Sequence, residues 1–205
     1  MPKQSPRREA QVRQQLAQEA ARFMIEGGIR DFAMAKRKAA ERLGLSQTRN
    51  LPTNREIEQA RAEYLSIFQP ESQPQRLREL REAAVGAMKM LGTFSPRLVG
   101  PVLAGTADDH SPIYLHLFSD TPEQVDFFLG DRGIPFEHDE RRVRLEPEKQ
   151  ETFPMYRILA DDIVVEMTVF PVKGQRQAPL SPVDGRPMRR ANRHEVEALL
   201  QEERG

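Results

Sequence analysis

A chain of 205 residues, 38% hydrophobic and 30% charged, suits one good-sized domain or a compact domain with a helical extension, and no apolar run reaches the roughly 18 residues of a membrane span. The absence of cysteine excludes disulfides, thiolate catalysis and cysteine-ligated zinc or iron–sulfur sites, and it suits a reducing cytoplasm. The zero net charge hides a segregation: residues 1–50 sum to +6, residues 108–166 to −9 and residues 173–193 to +5, which can steer a polyanion to the chain's ends or dock one segment on another.

The opening stretch, MPKQSPRREAQVRQQLAQEAA, lacks the apolar core of a secretory signal, and its periodicity predicts a helix from Arg7 to Met24. Val12, Leu16, Ala20, Phe23 and Met24 share one face, and Gly27-Gly28 stops it. A second helix spans Asp31 to Leu43, with Phe32, Ala35, Ala39 and Leu43 as its apolar stripe and Gly44 as its end. Thr53 and Glu56 form a capping box that opens a third helix through Phe68. Leu77 to Leu91 is a fourth, closed by Gly92. Residues 1–91 thus read as a helical N-terminal region. Lys36, Arg37 and Lys38 fit either a nucleic-acid reader or the solvated face of an amphipathic helix.

After Gly92 the periodicity changes, and residues 92–205 read as an α+β domain with an Arg-rich C-terminal segment. Strands are expected at about 98–104, 112–118, 141–146, 155–160 and 163–170, in one mixed or antiparallel sheet. Thr121, Pro122 and Gln124 predict a capped helix to Leu129 that packs on this sheet. Asp161-Asp162 marks an antiparallel hairpin turn, and Ile163–Phe170 is the strongest strand signal in the chain. Four prolines between Pro171 and Arg190 predict an extended crossing segment, and Asn192 with Glu195 caps a last helix from Arg193 to Glu202.

Phosphate chemistry needs close backbone approach after a buried strand, and Gly105-Thr106 offers it, although the same pair also reads as a tight turn. Glu166 stands alone among Val164, Val165, Met167 and Val169, so it faces either solvent, a cation or a hydrogen-bond partner. Four histidines (His110, His116, His138, His194) show no HExxH spacing. His116 can act as a metal ligand or base, or simply stand on the sheet surface. Arg186, Arg189 and Arg190 suit a triphosphate, an RNA backbone or the acidic middle of the same chain.

Residues Leu98–Phe118, LVGPVLAGTADDHSPIYLHLF, resemble the signature of the nucleotidyltransferase superfamily related to polymerase beta and the small bacterial nucleotidyltransferases. The resemblance implies a nucleotidyltransferase-like fold in which Gly105-Thr106 replaces the Gly-Ser pair and Ser111 precedes the acidic pair. The two metal-binding positions then fall on Pro112 and Tyr114 or, shifted by two residues, on Tyr114 and His116, and neither frame supplies a carboxylate. Glu166 matches the third acidic position, and Asp108-Asp109 are the candidates to replace the lost pair.

An active enzyme would hold Mg2+ or Mn2+ with Glu166, Asp108 and Asp109, use Glu166 and His116 at the reacting centre, and bind a nucleoside triphosphate through Gly105, Thr106, Arg186, Arg189 and Arg190. The missing pair leads to a different expectation: a divergent, catalytically weak or inactive relative whose function is binding of a nucleotide or partner. An RNA-binding or protein-interaction module built on the basic segments is the remaining alternative.

Overall fold

The computed structural model describes residues 6–203. The chain divides into two compact units, one comprising the chain up to Gln73 with Asp108–His110 and Pro182–Asp184, the other the remainder. Among the described residues no helix is long and apolar enough to cross a membrane.

The first unit is helical. It contains α1 (Pro6–Gly27), α2 (Phe32–Arg42) and α3 (Asn54–Phe68). Small residues let the helices approach closely: Ala17, Ala20 and Ala21 of α1 and Ala35 and Ala39 of α2 are buried together with Leu16, Met24 and Ile57. Asp31 caps α2 by accepting the Met34 N–H at 2.6 Å. The Thr53–Glu56 box forms as the sequence predicts, Thr53 Oγ1 accepting the Glu56 N–H and the Glu56 carboxylate accepting that of Thr53.

The second unit is a mixed α+β body. Its elements are α4 (Ser72–Met90), β1 (Arg97–Val99), α5 (Pro101–Ala104), β2 (Ile113–Phe118), α6 (Glu123–Asp131), β3 (Phe136–Glu146), β4 (Lys149–Ala160), β5 (Ile163–Phe170) and α7 (Arg193–Glu202). The helix α4 starts earlier than its apolar pattern indicates, because Pro74 sits in the first turn where no N–H is needed. Read from the sequence as part of a helical front ending at residue 91, it instead packs Leu77, Leu80, Ala84 and Met88 into the core of this second unit.

The five strands form one sheet in the order β1-β2-β5-β4-β3. β2 and β5 run parallel at its centre, and the other pairs are antiparallel. One face carries Leu98, Ile113, Leu115, Leu117, Val165, Met167 and Ile158, buried against α4, α6 and α7. The opposite face carries Tyr114, His116 and Phe118 of β2 beside Glu166, Thr168 and Phe170 of β5.

Three local expectations need correction. The strand read over 98–104 ends at Val99: Pro101 has no N–H for a ladder and starts the short helix α5 instead. Gly100 makes the junction at φ +75°, where a Cβ would stand 3.0 Å from the Tyr114 ring. Gly105-Thr106 therefore follows a helical turn rather than a strand. Secondly, β3 and β4 extend well beyond 141–146 and 155–160, since residues 136–140 lie on an exposed edge that leaves no apolar alternation to read. Thirdly, α6 has no side-chain cap from Thr121; Ser119 Oγ lies 2.8 Å from the Thr121 carbonyl and 3.0 Å from Gln124 Oε1 and orders the turn. The Asn192–Glu195 box and the strand Ile163–Phe170 are as predicted.

Candidate functional site

The chemistry-bearing side chains of the second unit gather on the sheet face opposite the core. Strand register sets Tyr114 directly across from Glu166, and His116 across from Thr168 and Arg97. From the other side, register sets Arg157 of β4 across from Glu166, and Glu137 of β3 across from Arg157.

Glu166 is buried, with 2% of its surface exposed, so it is no ordinary acid on a wet face. Two guanidinium groups account for it. Arg141 Nη2 donates to Glu166 Oε2, while Arg157 Nε and Nη2 donate to Oε1 at 3.3 and 3.2 Å. Arg157 reaches on to Glu137 at 2.8 Å, and the Arg141 guanidinium lies 5.2 Å from the centre of the Tyr114 ring. The result is a cluster in which fixed cations from β3 and β4 neutralise a carboxylate on β5.

His116, on the same face, is 5% exposed and accepts a hydrogen bond at Nδ1 from Arg190 Nε at 3.0 Å. Burial, with help from the nearby Arg190 and Arg141 charges, lowers its pKa to about 3, so it stays neutral. Arg190 Nη1 donates to the Gly174 carbonyl at 2.7 Å, and its guanidinium lies over the Phe118 and Phe170 rings at 5.1 and 5.3 Å. Its Nη2 is buried without a hydrogen-bond partner, and burial beside Arg97 lowers its pKa to about 10. Arg186 and Arg189 are exposed, so the three arginines read as one group divide between an inward and an outward role.

Three of the remaining predicted residues, Gly105, Thr106 and Asp108, have structural employment. The N–H groups of Gly105 and Thr106 both donate to the Pro101 carbonyl, at 2.9 and 3.0 Å, so the backbone donors expected to cradle phosphate close the end of α5 instead. In the first unit, Asp108 is buried and accepts from Arg61 Nη2 at 2.8 Å and from the His110 N–H at 3.0 Å, while Asp109 is exposed. The same unit holds a groove of about 860 Å³ lined by Arg30, Lys36, Arg37, Asp31 and Glu41, a mixture of signs rather than a basic surface. The Lys36 pKa is lowered by its partial burial.

This donor set does not fit a divalent metal. Glu166 is held by two arginines, Pro112 and Tyr114 offer no carboxylate, and Asp108 is engaged by Arg61. Among the described residues no three His, Asp or Glu side chains come together as a metal group.

Arg141 and Arg157 are the residues that the sequence reading missed. The available signal was Arg157 in MYRILA: a lone cation in an apolar strand, complementary to the lone anion of IVVEMTVF. No family model, no curated protein and no solved structure matches this chain.

Proposed function

We propose that this protein is a nucleotidyltransferase-like protein in which metal-dependent transfer has given way to binding. The observation that carries this reading is the Glu166–Arg141–Arg157 cluster. Under the resemblance of Leu98–Phe118, Tyr114 and Glu166 occupy positions that ligate metal, and they are cross-strand neighbours on the central parallel pair. Two guanidiniums stand against the carboxylate that would otherwise need a metal ion, and the Tyr114 ring lies beside Arg141. Fixed single charges of this kind neutralise Glu166 but do not activate a nucleophile or stabilise a departing pyrophosphate as a metal pair does.

The test is a titration of the full chain with ATP, CTP, GTP and UTP, with Mg2+, with Mn2+ and with chelator. A companion measurement takes the masses of the protein and of candidate protein and RNA acceptors after incubation. Nucleotide affinity indifferent to chelator, with no nucleotide mass added, is expected. Metal-dependent affinity with an added nucleotide mass, lost in Glu166→Ala, overturns the reading. Salt-sensitive RNA retention lost on replacing Arg186 and Arg189 identifies the ligand as RNA.

A further inference from the structure

The sheet has two unlike edges. On the β1 side the edge is closed, because Leu98 and Ala191 exchange N–H···O bonds of 2.8 and 2.9 Å. On the other side β3 is an eleven-residue edge strand, exposed throughout Phe136–Glu140 and again at Arg142 and Arg144. The Arg144 carbonyl accepts the Leu180 N–H at 2.7 Å from outside the hairpin. Alternation along an antiparallel strand then turns the backbone groups of His138, Glu140 and Arg142 outward as well, the Glu140 N–H meeting Asp139 Oδ1 at 2.8 Å in the single chain, a bond that pairing would exchange for a backbone carbonyl. Among the described residues neither the Glu140 nor the Arg142 side chain is held in an ion pair.

Charged edges usually repel other strands. Here, however, the charges from Glu137 to Arg144 are divided by sign: Glu137, Asp139 and Glu140 come first and Arg141, Arg142 and Arg144 after them, with Glu146 standing beyond at the strand's end. A strand acidic in its first half and basic in its second is complementary to itself when a second copy runs antiparallel to it. We infer that β3 is a homodimerisation edge, joining two copies of this chain about a two-fold axis through a continuous sheet.

Leu180 covers the end of the edge at Arg144, so the open length is centred near Glu140. With Glu140 on the axis, Asp139 faces Arg141 of the second copy and His138 faces its Arg142. Each Glu140 lies diagonal to an Arg142 of the other copy, which offsets the like pair at the axis. Arg141 remains neutralised from below by Glu166.

The experiment measures the molar mass of the full chain by sedimentation or light scattering across a concentration and salt series. A species of twice 23.5 kDa that dissociates as salt rises is expected. Glu140→Arg gathers four arginines on one face of the junction and Arg142→Glu gathers four acids, so each alone weakens dimerisation roughly tenfold or more. The double variant E140R/R142E restores the alternation of sign and with it the dimer. A chain monomeric at every concentration overturns the inference, as does a dimer indifferent to the single changes or one that the double change fails to rescue. Circular dichroism of each variant separates loss of pairing from loss of fold.

Discussion

The Glu166 cluster makes a quantitative prediction about non-additivity. Glu166 has 2% of its side chain exposed, but Arg141 and Arg157 retain 34% and 37%. Removing one arginine, as Arg141→Met or Arg157→Met, costs a charge-assisted hydrogen bond worth about 1.5–3 kcal/mol before discount. Solvent screening of a one-third-exposed guanidinium reduces that to about 1–1.5 kcal/mol, because Glu166 keeps the other arginine. Removing both leaves a buried carboxylate without a cation, at about 3–5 kcal/mol. The double variant should therefore lose about 1–2 kcal/mol more than the sum of the singles. Glu166→Gln added to that double variant should recover about 1 kcal/mol or more, since a neutral amide needs no counter-ion. Urea unfolding supplies the free energies. Hydrogen exchange at the β5 amides confirms that they belong to the sheet, as a chain of two units need not unfold in one step. Additivity within about 0.5 kcal/mol would refute the reasoning, because it would mean that each arginine contributes independently of the other.

Three further outcomes follow from other parts of the molecule. Gly100→Ala should lower stability by about 2 kcal/mol or more, through its φ of +75° and the 3.0 Å approach to Tyr114, whereas Gly86→Ala, with open space around a helical position, should raise the melting temperature slightly. Arg61→Ala should cost about 3 kcal/mol in thermal or urea melts, since Asp108 is only 4% exposed and loses its guanidinium. The folded-state pKa of His116, about 3, lies below its ordinary 6.5, so it contributes stability that is fully present above pH 6.5 and is lost as pH falls toward 3. His116→Gln should accordingly flatten the stability profile below pH 6.5, by a slope that grows to about 1.4 kcal/mol per pH unit near pH 5, and an unchanged slope would sink the assignment.

Much of the fold was legible because it rests on local chemistry. The Thr53–Glu56 and Asn192–Glu195 boxes use donors and acceptors three residues apart, and the Asp161-Asp162 turn takes the positive φ values, 45° and 66°, that aspartate tolerates. The face of Glu166 was also legible from strand parity. What it touches was not: Arg141 and Arg157 precede it by 25 and 9 residues and reach it only through the register of three strands. The misread strand at 98–104 has a different cause. Val102, Leu103 and Ala104 are as apolar as a strand needs, and the helical preference of Pro101 at a first turn outweighed that pattern.

The parallel pairing of β2 with β5 bears on how the chain finds its structure. β3, β4 and β5 follow one another through tight turns, so each pairs with its sequence neighbour and can close within microseconds. Every β2–β5 contact joins positions about fifty residues apart and carries the entropy of closing that loop. A three-stranded meander with β5 as its preformed edge is thus the natural template, onto which β2 docks late. Substitutions at the Asp161-Asp162 turn should slow folding, whereas those in Ile113–Phe118 should act chiefly by hastening unfolding, a division that rapid-mixing kinetics can read strand by strand.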